Sequence, residues 1–538
     1  FNAQGGYNLV VKVHPSDPNT VIIGGTNLYR STDGFTSDSN ITVIGGYDPT
    51  STIPFYLNYP NNHSDQHQLY FYPSNPDRML QACDGGLYRT QNVRDTAVVW
   101  ESIGNGYLTA QFYTCAIDHA SSGKEVMGGT QDNGTWFTAN DNLTSPWAQP
   151  GFGDGGYCAM QDGHQFVYTS RQEGRVGKMQ IDSAGNVLAF RRIDPVGGSN
   201  YQFIAPFALD PNNQNRMYLA AGSQLWRNDS LDIIPLNGQW DTISTGWTML
   251  PDSVVGAKIT ALAIAKTPAN RVYYGYGTKR VYRADNADSN TPTVTDITGS
   301  TFPSAASVSC IAVDPNNGNH VLVSFSNYRV YSIYGSNDAG ATWTKVAGNL
   351  EATSVGTTAG PSVRWISIVP TASGNVYLAA TSTGLYATSR LNGTGTVWTD
   401  IGASTIGNIV VDMLDVRTSD GYVAIGTHGA GMYSMFITDT ITSSIAAPDP
   451  FLSDVIAYPN PSSGKFTVKF TLESPQQMSV RLLDLRGSVV KVFEESYLGL
   501  GDQVRTYDAP VAYGTYYVQF IGSTSGSFVE KLVIGPGQ

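Results

Sequence analysis

Apolar residues along this chain fall in short alternating runs, and the runs return at regular distances. "VVKVHPSDPNTVIIGGTNLYRSTDG" from Val10 reads as strand, turn, strand, turn, strand. The same order returns as "LYFYPSNPDRMLQACDGGLYRT" from Leu69, "FALDPNNQNRMYLAAGSQLWRND" from Phe207 and "IAVDPNNGNHVLVSFSNYRVYSIYGSNDAGATWTKV" from Ile311. Weaker copies start near Tyr113, Tyr157, Ile259, Val363 and Ile409. Copies lie about 44–60 residues apart, near the length of a four-stranded propeller blade. No stretch keeps apolar spacing of three and four over several turns, so long amphipathic helices are not expected.

A lone four-stranded meander cannot bury both of its faces, so the copies are expected to stack around an axis. Asp-Pro-Asn-Asn closes the first hairpin of a copy, because Pro fixes φ and the Asp and Asn side chains bond the backbone just downstream. The expected fold is all-β: a multi-bladed β-propeller of seven to nine blades over 1–436, then a small immunoglobulin-like β-sandwich. The last copy, "GYVAIGTHGAGMYSMFI", has no obvious fourth strand. Either N-terminal residues complete it, or the chain is part of a larger two-propeller protein. Residues 437–453 lose the period and gain Ser, Thr, Ala and Pro, which reads as a linker. Residues 454–538 then alternate through "KFTVKFTL", "MSVRLLDL", "VVKVFEES", "TYYVQFIG" and "FVEKLVI", five strands of a sandwich.

Composition narrows the function classes. The net charge of −12, with no cluster of Lys and Arg, argues against a nucleic-acid partner. No apolar run approaches the roughly 18 residues of a spanning helix. Phe1 opens directly into "NAQGGYNLVV" without a signal peptide, as expected of a processed protein or a piece of a longer precursor. Four cysteines (Cys83, Cys115, Cys158, Cys310) are too scattered for a disulfide framework. Cys115 and Cys158 sit at similar places in adjacent copies, so one bridge is conceivable; small buried apolar residues is the simpler reading.

The tail carries a resemblance. Tyr458-Pro459-Asn460-Pro461 with Gly464, then Asp484 and Gly487, then Gly514 and Tyr516, then Lys531-Leu532-Val533-Ile534 form one ordered pattern. It resembles the type A sorting domain of proteins exported by the type IX secretion route of Gram-negative bacteria. The resemblance implies an outer-membrane translocon, a shuttle protein and a sortase as partners of 454–538. It also implies a secreted or cell-surface location. "SNDAGATW" resembles the Asp-box of sialidase-like and sortilin-like propellers, with Ser336, Asp338, Gly340 and Trp343 as its members, and "STDGF" from Ser31 is a degraded copy. Residues 61–90, 104–118 and 128–136 resemble large secreted Asp-box propeller proteins of the Bacteroidetes. These are often labelled sortilin-like or xyloglucanase-like.

Candidate chemistry is sparse. His63-x-Asp65-x-His67 would share one face of a strand, a donor set suited to Zn²⁺; the simpler reading is a hydrogen-bonded polar cluster. Asp84 in "CDGGLYRT" resembles the catalytic Asp of xyloglucanase-type glycosidases, and Asp154 in "FGDGGYCAM" is the natural second carboxylate of an acid–base pair. Asp-Gly-Gly is also ordinary turn chemistry. "TQDNG" offers Asp132 to Ca²⁺, though Asn-Gly favours a hairpin turn. The leading expectation is a glycan- or protein-binding surface module; the alternative is a polysaccharide-active glycosidase using Asp84 and Asp154.

Overall fold

The computed structural model describes residues 1–51, 57–104, 106–142, 145–163, 165–251, 254, 256–351, 360–437, 452–472, 474–484, 489–522 and 526–535. Among them the regular structure is strand plus four three-residue 3-10 turns. The chain divides into two compact units, Phe1–Ile441 and Thr442–Gln538. The predicted linker, 437–453, falls mostly outside the described residues.

Among its described residues the first unit holds nine antiparallel sheets. They span 10–45, 66–102, 116–151, 155–192, 207–249, 259–296, 308–345, 363–400 and 411–436. Eight have four strands and the last has three. Every predicted copy therefore became a sheet. Seven of the nine close a ring: from the third to the ninth, each sheet packs on the next, and the ninth packs back on the third. The first two sheets pack on each other through Val10–His14 and Gln66–Tyr72. The structure is therefore a seven-bladed β-propeller preceded by a two-sheet stack.

Two devices explain how the repeat makes blades. Small residues end the second strand because the neighbouring blade comes close there. A Cβ on Gly129 would lie 2.1 Å from the Gly156 carbonyl, and one on Gly275 would lie 2.5 Å from Val308. The second device is a basic residue at the "LYR" position of the third strand. Arg30, Lys178, Arg227 and Arg283 stand at the same register position of a third strand. Each donates to main-chain carbonyls in the loop between the third and fourth strands of the following sheet. Arg30 reaches Val93 (2.6 Å) and Asp95 (2.7 Å), and Lys178 reaches Leu231 (2.6 Å). Arg227 reaches Ala287 (2.8 Å) and Ser289 (2.6 Å), and Arg283 reaches Ala339 (2.9 Å). Charge-assisted bonds to buried carbonyls contribute about 1.5–3 kcal/mol each.

The seam joins residues roughly 300 positions apart, so its contacts must offset a long loop closure. Cys115 approaches the carbonyls of Met413 and Ala424 (both 3.6 Å), and the Ile117 N–H donates to Asp415 (2.9 Å). Arg417 donates to the Asp118 (3.2 Å) and Gly123 (2.7 Å) carbonyls. His119 pairs with Asp415 at 3.2 Å, which raises its pKa to about 9. All four cysteines are free and buried, so Cys115 and Cys158 are packing residues and not a bridge.

The described residues of the second unit form a seven-stranded sandwich. One sheet pairs Leu452–Tyr458, Lys465–Leu472 and Gly501–Asp508. The other orders Val489–Leu498, Gln476–Leu483, Gly514–Gly522 and Gly526–Ile534. Phe466, Val468, Phe470 and Leu472 alternate inward onto Val480, Leu482, Val518 and Phe520. Two of these strands were not predicted. "GDQVRTYD" offers only Val504 and Tyr507 as apolar residues, too weak a period to read, and Leu452–Tyr458 runs straight into a Pro-rich turn.

Candidate functional site

In an antiparallel meander, the turn between the second and third strands lies at the same end as the start of the first strand. Asp84 and Asp132 occupy two such turns, and Asp65 and Asp154 immediately precede first strands. Four carboxylates from three sheets thus gather on one face.

Asp84 closes the turn between Asn75–Cys83 and Gly86–Thr90. Its carboxylate lies 2.5 Å from His67 Nε2 and accepts from the Tyr7 hydroxyl at 3.3 Å, while the Tyr7 ring stands edge-on to His67 at 5.1 Å. The Asp84 carbonyl accepts from Asn133 Nδ2 at 3.1 Å, which ties the two-sheet stack to the ring. Asp65 sits in the left-handed region at φ +64° and accepts from Asn8, Gln4 (2.8 Å) and Ser64 (3.0 Å). Burial raises its pKa, with the Asp84 charge adding to the effect.

Asp132 lies in the hairpin turn between Val126–Thr130 and Gly134–Thr138, at φ +60°. The Asn-Gly hairpin signal is thus real, and it hides the chemistry. Burial first, then the charges of Asp84, Asp154 and Asp65, push its carboxyl up to about 7. The Asp132 N–H donates to Asp154 Oδ1 at 3.0 Å, so Asp154 is engaged in holding the turn that carries Asp132. Tyr113 donates to Gln131 Oε1 at 2.9 Å beneath the same turn, and its pKa rises to about 12, chiefly through burial.

The face continues past Asp154. Gln172 N–H donates to the Asp154 carbonyl (3.1 Å), the Arg171 guanidinium stands 5.9 Å from the Phe152 ring, and the Glu173 N–H reaches the Phe203 carbonyl (2.9 Å). Tyr7, Phe152 and Phe203 are all exposed. The outcome is a strip of carboxylates and polar side chains with exposed rings at both ends.

The sequence-predicted residues distribute as follows. Asp84 belongs to the strip, and Asp154 contributes to it through its hydrogen bond. His63, Asp65 and His67 do not share a strand face, because the strand begins only at Gln66 and Asp65 turns through a positive φ. His63 is held by the Ser64 carbonyl (3.2 Å), Asp65 by Asn8, Gln4 and Ser64, and His67 by Asp84. Among the described residues, no group of three or more His, Cys, Asp or Glu side chains is arranged to hold a metal ion. Asp132 is the residue whose carboxyl chemistry the sequence hid. Its proton affinity depends on carboxylates that come from other turns, and local sequence carries no trace of that.

The 336–343 turn lies at the opposite end of its blade. Ser336 Oγ donates to Asp338 (2.8 Å) and accepts from the Gly340 N–H (2.8 Å). Asp338 accepts from the Thr342 hydroxyl (2.6 Å) and N–H (2.8 Å). Gly340 adopts φ +88°, and Trp343 Nε1 donates to the Ile297 carbonyl of the preceding blade (2.7 Å). Residues 31–37 repeat the arrangement around Asp33, with Ser31 (2.8 Å) and Ser37 (2.6 Å).

In the second unit, the two ends of the predicted tail pattern meet. Asn460 Nδ2 donates to the Lys531 carbonyl and its Oδ1 accepts the Val533 N–H, both at 2.8 Å. The Ser462 N–H bonds the Val533 carbonyl and Gly535 returns to Ser462, again at 2.8 Å. Gly464, at φ +114°, turns the chain into the next strand. Tyr458 is exposed beside Pro459 and Pro461, and Gly514 opens the strand that pairs with Ile534. Tyr516 donates to the Ala512 carbonyl (2.9 Å), and Asp484 follows directly on Gln476–Leu483. Gly487 lies outside the described residues.

Residues 456–535 match the family model described as Secretion system C-terminal sorting domain. A protein carrying this sorting domain is exported to the cell surface or the extracellular space. No helix of the described residues is long and apolar enough to cross a membrane. Among solved structures, the β-propeller domain of Cps50 (Swd1) from Myceliophteria thermophila is similar, with 12% identity and a TM-score of 0.39. The similarity covers 60% of this chain and 98% of that one. No curated protein matches the sequence.

Proposed function

We propose that this protein is an exported surface propeller that binds a glycan along the strip from Tyr7 to Phe203. The supporting observation is the strip itself. Exposed aromatic rings offer flat apolar surfaces to sugar rings, and the carboxylates, Gln and Asn side chains between them pair with hydroxyls. On this reading the sorting domain engages the type IX translocon, shuttle and sortase, and the ring ends attached to the outer membrane or released. The 336–343 and 31–37 turns are read as Asp-boxes, structural staples on the face away from the ligand; their matching hydrogen bonds support this.

A second reading has an observation of its own. Asp132 keeps its proton to about pH 7, beside an Asp84 carboxylate that accepts from His67 and Tyr7. Such a pair suits glycoside hydrolysis, with Asp132 as general acid and Asp84 as base. In this arrangement Asp154 supports the acid and is not itself the second catalytic carboxylate.

A glycan array followed by reducing-sugar release separates these readings. Binding that Tyr7→Ala and Phe152→Ala each weaken about tenfold supports the first. Sugar release that falls about 10²–10⁴-fold in Asp132→Asn supports the second. A wild-type chain that retains no glycan and releases no sugar sinks both.

A further inference from the structure

Charge is divided across the ring face that carries the carboxylate strip. The turns between second and third strands all lie on that face, and their charge changes sign around the ring. The third and fourth sheets contribute Asp132 and Glu173, and the fifth has only Gly222 and Ser223. The sixth and seventh then contribute Lys279, beside Arg280, and Arg329. The eighth has Ser382 and Thr383, and Arg364 is the second residue of its first strand. These last three sheets pack on one another in succession, so their cations form an arc across the ring from the strip.

In a chain of net charge −12, a cation without a carboxylate partner is notable. Arg280 pairs with Asp296 at 2.6 Å. Lys279 and Arg329 have no such partner among the described residues, and Arg329 is exposed. Arg329 also adopts φ +63°, which glycine takes at no steric cost, so the turn itself does not call for arginine. Arg364 stands 3.7 Å from Asp412, beyond hydrogen-bond length, while Asp412 is held by His428 at 3.0 Å. The Arg364 Nε is buried without a hydrogen-bond partner. Next to Arg329, Tyr328 is 59% exposed. Asn327 Oδ1 accepts the Ser307 N–H at 2.7 Å, and its Nδ2 remains as a donor.

We infer that this arc is a second binding surface, separate from the strip, for an acidic polysaccharide. Its cations stand one to a blade, which suits a polymer whose charges are spaced by sugar rings. Duplex nucleic acid carries a charge every ~1.7 Å and is met by clustered Lys and Arg instead. Carboxylate or sulfate groups pair with the guanidiniums of Arg329 and Arg364 and with the Lys279 ammonium. A sugar ring lies on Tyr328, and Asn327 and Thr383 meet its hydroxyls. The carboxylates across the ring repel the same polymer and so confine it to the arc.

The test is retention of the 538-residue chain on immobilised polygalacturonate, dextran sulfate and uncharged dextran. We expect retention on at least one acidic polymer at about 50 mM salt, loss of it by about 500 mM, and none on dextran. The stronger of the two acidic polymers shows whether carboxylate or sulfate is the preferred substituent. Lys279→Gln combined with Arg329→Gln should weaken binding about tenfold. Neither side chain has an ion-pair partner to lose, and an unchanged thermal melt will show that the double variant is folded. Arg280→Gln, whose charge is already matched by Asp296, should change binding by less than about twofold. Equal retention on dextran, or a double variant that binds like wild type, overturns the inference. So does equally tight binding of polyglutamate or duplex DNA, since charge alone would then account for retention.

Discussion

Asp338 and Asp132 are both aspartates in tight turns of propeller blades, on opposite faces, and their environments drive them in opposite directions. Asp338 receives the hydroxyl and N–H of Thr342 and the hydroxyl of Ser336, which lowers its carboxyl to about 2. Asp132 is half-buried among three other carboxylates, which raises it to about 7. Local donors make a permanent anion that fixes a turn. Burial beside like charges makes a group that exchanges a proton near neutrality, and such groups mark candidate sites for chemistry.

The largest effect should come from Asp132→Asn. The folded protein holds the Asp132 proton to about pH 7, while the unfolded chain releases it near 3.8, so the fold loses stability as pH rises between these values and the loss is complete above pH 7. The Asn variant, which tolerates the left-handed turn, should be more stable than wild type at pH 8 by about 2–3 kcal/mol, after discounting for partial exposure. The gain should vanish near pH 4. Urea unfolding at the two pH values checks this, and a variant that is neutral at pH 8 would erase the contrast with Asp338.

Asp338→Ala should act in the opposite sense and more weakly. Its folded pKa is depressed, so its contribution is present above about pH 4 and is lost as pH falls towards 2. A loss of about 1 kcal/mol is expected, in line with caps of this kind at exposed positions. Thermal unfolding at pH 7 and pH 2.5 would show the difference shrink in acid.

The smallest effect concerns a mixed case at the ring seam, where His119 is held by Asp415. The folded pKa is raised to about 9, so the stabilisation is complete below pH 6.5 and disappears as pH rises through 9. His119 keeps a side-chain exposure of 46%, so His119→Gln should cost about 0.5–1 kcal/mol at pH 6 and nothing at pH 10. A flat difference across that range would show that the seam does not depend on this pair.

Much of the fold was legible because each blade is a local unit. Turn chemistry at "DPNN" and the period-two strands are written in consecutive residues, and the nine sheets start where those signals lie. Ring closure was not legible, since nothing in Cys115 or Ile117 announces Met413, Ala424 or Asp415. The site followed the same division. Asp84 and Asp154 stood out through Asp-Gly-Gly, but Asp132 was masked by an Asn-Gly turn that would look the same with no carboxylates nearby. His63, Asp65 and His67 misled because alternation counts only within a strand, and the backbone at Asp65 bends before the strand begins. "LYR" was visible as a repeated word; that a cation at this register position crosses to the following sheet at Arg30, Lys178, Arg227 and Arg283 needed three dimensions.

The clasp at Asn460 bears on timing. The opening and closing segments of the tail become one surface when Asn460 grips the backbone of Lys531 and Val533 and Ser462 pairs beside it with Val533 and Gly535. A ribosome delivers those two segments some seventy residues apart. Until synthesis has passed Val533, these two segments cannot meet. A chain interrupted anywhere upstream of Val533 therefore lacks the clasp, and a chain that carries it has been translated through the propeller and the sandwich alike.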